Sequence, residues 1–383
     1  MCVSYEGQKS NAPACTLLEK EKGEVLLSNG APEGAKSDAA CPSWIYPNAG
    51  ESGYYRIALP KAQFLGLMQA QDKLSPQSRA SLLSHAGALV ENGLLGADSL
   101  IDMTLALKGN RERLVFEKVL VTLGSLEHLY VEDAETRTAF NAHASSILLP
   151  LAKELGWEAK KDEPEDRKML RQRVLGALSA YGEDAWLYAE GEKKAAAALK
   201  DPASADWELA PLAFHISARR GDAARFKDYL ETAKKTPRME LRRALLSALL
   251  HFKSPELVER GLDLTLSNDL KTEEIFHVYF SAFDRRENQA ALIAWTKKHL
   301  GELKAKLPGP MTAAFAWLGA LPCEKNVRND VAGFLKGALV DVESADRGLA
   351  QALERSAQCI DLRSRQGEVF KARLLGKTKS VKR

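Results

Sequence analysis

The chain has 383 residues, 45% hydrophobic and 27% charged, which are ordinary proportions for a globular protein and exclude wholesale disorder or a fibrous repeat. That length admits two or three domains, or one repeat array. Lys+Arg 54 against Asp+Glu 51 leaves a formal net charge of +3, so no nucleic-acid partner is expected.

Residues 1–58 have a texture of their own. CVSYEG and ACTLLEKEKGEVLL read as short strands, and the Gly/Asn/Pro/Ala-rich stretch from Ser28 to Pro42 reads as an exposed loop. Two aromatic and β-branched runs, Trp44 to Tyr46 and Tyr54 to Ala58, flank a Pro-Asn-Ala-Gly turn and predict a β-hairpin. Three or four strands are marginal alone in water, so something must pack against them. The first fifteen residues lack a basic start and an apolar run, so no secretory signal is read there; the cytoplasm is the default compartment, with export left to a longer parent chain.

From Pro60 the period turns helical and stays so. Leu82, Leu83, Ala86, Leu89 and Val90 share a face, as do Leu114, Val115, Lys118, Val119, Thr122 and Leu126. Stops fall at Gly93, Gly109-Asn110, Gly156, Gly182, Pro202, Gly221, Pro237, Pro255 and Pro308-Gly309-Pro310. Starts are marked by Ser75-Pro76, Thr236-Pro237, Ser254-Pro255 and Asp133. The result is about sixteen helices, too many for one bundle. The predicted fold is mainly α, a divergent HEAT-like helical-repeat solenoid with a concave surface, preceded by a small partial β-sandwich. The domains read as 1–59 (partial β-sandwich), 60–376 (helical superhelical cap) and 377–383 (basic frayed tail). No stretch approaches the roughly 20 apolar residues of a bilayer span, so no membrane partner is expected.

Phosphate cradles and the serine-hydrolase elbow are absent: the chain has no G-x-x-x-x-G-K-[ST], no G-x-G-x-x-G after a strand and no G-x-S-x-G. Cys2, Cys15, Cys41, Cys323 and Cys359 form no CxxC, which leaves either buried thiols or disulfides Cys2–Cys15 and Cys323–Cys359. Glu274 and His277 have the i, i+3 spacing of a di-iron ligand pair, but without a second copy they read as a solvated Glu and a partly buried His. The basic pairs Arg219-Arg220, Lys234-Lys235, Arg242-Arg243, Arg285-Arg286 and Lys297-Lys298 read as wet helix faces, the alternative being a groove for an anionic ligand. Trp157, Trp186, Trp207, Trp295 and Trp317 read as packing residues, with contact to a substrate as the alternative.

Trp44-Ile-Tyr-Pro-Asn48 followed by Gly53-Tyr54-Tyr55-Arg56-Ile57 resembles the last strands of the small β-domain in zinc aminopeptidases of the aminopeptidase N type. Later landmarks agree in order: Leu155-Gly156-Trp157-Glu158, Leu170-Arg171, Tyr181-Gly182-Glu183-Asp184, Ser254-Pro255-Glu256-Leu257 before Gly261-Leu262, Asn288 with Trp295, and Arg347 to Glu354. The resemblance implies a β-domain joined to a C-terminal helical bowl that caps an active site and encloses a peptide chamber. It carries over no catalytic, metal or cofactor residue, because that family's H-E-x-x-H and G-A-M-E-N motifs do not occur in these 383 residues. Zinc is expected only in a separate catalytic domain, which would activate water for peptide hydrolysis. The expected function is therefore that of a non-catalytic cap, with the catalytic domain and peptides as partners and no hydrolysis by this chain alone; the strand at Cys2 then reads as a start part-way through a sandwich. The alternative is a stand-alone helical-repeat scaffold that binds a protein or peptide in its groove.

Overall fold

The computed structural model describes residues 1–7, 13–25, 27, 42–182 and 184–377. Most of the expected loop from Ser28 to Pro42, along with Cys41, Glu183 and the basic tail from residue 378 on, lies outside the described residues. The described residues hold three short strands and sixteen α-helices, mainly α as the periodicity requires. They fall into two compact units, one of residues 1–174 and 365–383, the other of residues 175–364.

In the first unit β1 (Cys2–Tyr5) runs antiparallel to both β2 (Ala14–Cys15) and β3 (Ile45–Tyr46), in the order β2-β1-β3. Tyr54 to Ala58 forms no strand, so the expected hairpin is not made. The Asn48 side chain takes the backbone that a partner strand would have used: its Oδ1 accepts from the Gly53 N–H at 2.9 Å and its Nδ2 donates to the Gly53 carbonyl at 3.0 Å. The turn is thereby closed by a side chain instead of a ladder.

The helices α1 (Lys61–Gln69), α2 (Pro76–Glu91), α3 (Asp98–Ala106), α4 (Arg113–Tyr130) and α5 (Ala134–Leu155) follow. α2 packs on α4 and α3 on α5, so each helix meets the next but one, as in stacked helix pairs. The starts obey local chemistry: Ser75 accepts from the Ser78 N–H at 3.1 Å with Pro76 at the first helical position, and Asp133 accepts from the Thr136 N–H at 2.8 Å. Leu82, Leu83, Ala86, Leu89 and Val90 are all buried. Leu114 departs from its predicted face and is 45% exposed, while its neighbour Val115 and Phe116 fill the core. Adjacent helical residues lie about 100° apart, and the apolar stripe of α4 is centred past Leu114.

The chain continues through α6 (Glu165–Tyr181), α7 (Ala185–Lys200), α8 (Ala210–Arg220), α9 (Ala223–Lys235), α10 (Met239–Ala248), α11 (Pro255–Asp263), α12 (Thr272–Ser281), α13 (Gln289–Lys306), α14 (Gly309–Ala313), α15 (Lys325–Ala338) and α16 (Ala345–Leu374). In the second unit α8, α10 and α12 pack in one row, and α11, α13 and α15 in another. Tyr279 is a core post: its ring meets Phe315 edge-on at 4.7 Å and its hydroxyl lies 2.7 Å from Thr296 Oγ1.

Several basic pairs turn inward, against the solvated expectation. Arg219 is buried, its Nε donating to the Tyr188 hydroxyl at 3.2 Å and its Nη1 paired with Glu287; Arg285 is buried and Arg242 half-buried, whereas Arg220 and Arg243 are exposed. Two consecutive residues straddle a helix flank, so one of a pair can enter the core where an acceptor awaits it. Glu274 is likewise no solvated carboxylate. It accepts from Arg242 Nη2 at 3.0 Å and from the Lys271 N–H at 2.9 Å, closing the first turn of α12.

Candidate functional site

The second unit contains a cavity of about 620 Å³, assembled from the segment before α8 and from α8, α10 and α12. Its apolar walls are Trp207, Phe276 and Phe280. Arg238 stacks over the Trp207 ring at 5.3 Å and fixes its orientation. Phe276 and Phe280, one turn apart on α12, stand with ring centres 4.4 Å apart.

The floor is polar. His215 Nε2 lies 3.0 Å from Ser247 Oγ, Ser247 Oγ lies 3.0 Å from Ser281 Oγ, and Ser281 Oγ donates to the His277 carbonyl at 2.8 Å. The direction of this chain is forced. Ser281 has a single proton and gives it to His277, so Ser247 must donate to Ser281, and His215 must donate to Ser247 from Nε2. Beneath the floor the His251 ring stacks on His215 at 3.7 Å and donates from Nδ1 to the Ser247 carbonyl at 3.1 Å.

Burial keeps these imidazoles neutral. It holds His215 down to about 3, with Arg285 and His277 adding to the effect, and drives His251 well below the usual histidine range, helped by His215. His277 is lowered by burial and by Arg243. The rim carries Glu240, Arg243 and Glu273, all exposed. No three His, Cys, Asp or Glu side chains converge as a metal requires among the described residues, so the cavity lining does not fit zinc.

None of the landmarks of the family resemblance lines this cavity, and those from Trp44 to Trp157 lie in the first unit. Trp44 is half-buried and its carbonyl accepts from the Glu6 N–H at 3.2 Å; Asn48 clasps Gly53; Tyr54 and Arg56 stand in solvent; the Tyr55 hydroxyl donates to the Pro47 carbonyl at 2.6 Å. Gly156 ends α5 at φ 65° and ψ −170°, and Trp157 is buried. Just below them Arg171, 2% exposed, donates to the Leu155 carbonyl at 3.1 Å and bidentately to Glu163 at 2.7 and 2.8 Å. These residues fasten the chain to itself. Cys2 is bonded to Cys15, and Cys323 to Cys359.

Trp207 and Arg243 reach the rim and walls of the cavity, where the sequence had favoured packing for one and a wet face for the other. His215, Ser247 and Ser281 come from three helices at intervals of 32 and 34 residues, a spacing that no short motif marks.

The sequence profile of the ERAP1-like C-terminal domain matches residues 44–358. Among curated proteins the chain is similar to "Aminopeptidase 2, mitochondrial" of Saccharomyces cerevisiae, 24% identical over 319 residues, or 80% of this chain and 32% of that protein. Aminopeptidase 2 of Candida albicans is 25% identical over 80% of this chain and 34% of its own length; the glutamyl aminopeptidase of Homo sapiens is 25% identical over 71% and 29%. The chain spans about a third of the length of these relatives.

Proposed function

Because the chain belongs to the ERAP1-like C-terminal domain family of M1 aminopeptidases, we propose that it is the non-catalytic helical cap of a zinc aminopeptidase. In this reading it closes over an active site carried by a separate catalytic region and walls the chamber in which peptides are held. The residues divide, as proposed, into a β-domain segment at 1–59, the cap at 60–376 and a basic tail at 377–383.

The observation that carries the reading is the match across residues 44–358, together with the share of each relative it leaves uncovered. Two features support it. Residues 1–58 leave Leu17, Ile45 and Tyr54 in solvent, apolar surface that a covering protein would bury. The cavity between α8, α10 and α12 has the aromatic walls and sparse polar groups of a ligand pocket.

The test is to mix the purified chain with the catalytic region of an M1 aminopeptidase from the same source organism. The expected result is a complex at micromolar concentration and an altered rate on aminoacyl reporter substrates, with no hydrolysis by the chain alone. Failure to associate overturns the cap and leaves the stand-alone scaffold as the reading.

A further inference from the structure

We infer that the cavity of the second unit is a subsite for a peptide side chain with a large apolar body and a hydrogen-bond-donating tip, namely tyrosine, tryptophan, lysine or arginine. The inference rests on the peptide-chamber reading and adds to it a chemical class.

The argument is one of proton count. Along the floor each proton is already committed: His215 Nε2–H to Ser247, Ser247 O–H to Ser281, and Ser281 O–H to the His277 carbonyl. A hydroxyl oxygen has two lone pairs, and in this chain each serine oxygen has one of them occupied. The floor therefore offers acceptors and no donors. Protonation of His215 would add a second donor at Nδ1, but burial keeps the ring neutral, so the count holds.

The walls and rim point the same way. Trp207, Phe276 and Phe280 suit an aromatic ring or the methylene stem of a long basic residue, and aromatic faces attract a cation. At the rim Glu240 is already paired with Arg238 at 3.7 Å, which leaves Glu273 beside Arg243 to face an incoming cation. A carboxylate tip would meet only lone pairs on the floor, whereas an aliphatic tip would leave the second lone pair of each floor serine unfilled. Arg243, exposed at the rim, is left to donate to a backbone carbonyl of the same peptide.

The experiment measures binding of fluorophore-labelled Ala-Ala-Xaa-Ala peptides, amide-blocked so that no terminal charge contributes, to the full chain by anisotropy. Matched pairs isolate the tip: tyrosine against phenylalanine, lysine against norleucine, and glutamate as the adverse case. Tyrosine and lysine should each bind about fivefold tighter than their tipless partners, the size of one well-made hydrogen bond, and glutamate weakest of all. Ser281→Ala and Ser247→Ala should erase the tyrosine-over-phenylalanine preference; Trp207→Leu, on the wall, should weaken all peptides while leaving that preference in place. Binding without a donor preference, or a preference that survives both serine variants, overturns the inference and leaves the cap reading standing. No binding by any peptide at millimolar concentration overturns the inference and the chamber reading together, while the association test still judges the cap.

Discussion

At Gly156 the backbone occupies a region of φ and ψ that is essentially confined to glycine, and an added Cβ would meet no atom within 4 Å. The cost of Gly156→Ala is therefore purely conformational, about 1–3 kcal/mol, and should appear as a lower denaturant midpoint. Arg171, on α6, makes a different demand. Arg171→Met takes one of its two guanidinium partners from the Glu163 carboxylate, leaving Arg167 at 3.3 Å, and should cost about 1–3 kcal/mol, while pairing it with Glu163→Leu should recover part of that loss. The buried imidazoles add a pH signature. His143, whose Nε2 lies 3.2 Å from Thr104 Oγ1, is held at about 4 by burial and by Arg373; His215 is held at about 3. Both values lie below that of an unfolded histidine, so below about pH 6.5 the unfolded chain binds protons that the native state refuses. Stability should fall as pH drops from 7 to 5, by about 2 kcal/mol for each of the two, as read from urea midpoints; His215→Gln should flatten the slope.

At the scale of elements, the Cys323–Cys359 bond ties the approach to α15 to the middle of α16 across a sequence separation of 36 residues. Replacing both cysteines by serine should lower stability by about 3–4 kcal/mol if loop entropy dominates, measured by thermal or denaturant unfolding. Helix starts at Ser75, Asp133 and Ser254 are legible because each side chain bonds its own first turn, whereas Asp184 and Asp222, which cap α7 and α9 in the same way, are not among the starts read from the sequence. Thr236-Pro237 reads as another start, yet α10 begins only at Met239, because the Thr236 hydroxyl is spent on the Arg238 N–H at 3.2 Å. The missed hairpin has the same origin. Asn48 offers the backbone a local partner that pattern matching over strands does not weigh. Glu274 looked solvated because its partner Arg242 sits on another helix, 32 residues away.

Over the whole molecule, the mainly helical class and the order of family landmarks could be read from sequence because both are written along the chain. The cavity could not. Its floor depends on α8, α10 and α12 presenting one polar group each at the same height, at intervals of 32 and 34 residues that no short motif picks out. The landmarks themselves mostly do mechanical work: Asn288 donates to the Leu250 carbonyl at 2.8 Å, Trp295 to Asp263 at 2.8 Å, and Gly261 lies where a Cβ would stand 3.2 Å from the Leu249 carbonyl. A motif that identifies a family can thus be silent about its chemistry.

Tyr54 projects wholly into water from a turn that Asn48 locks in place. It is a ready-made reporter: nitration or iodination should mark this ring ahead of the eight other tyrosines, and a drop in its labelling upon mixing with a second protein would footprint whatever comes to rest there.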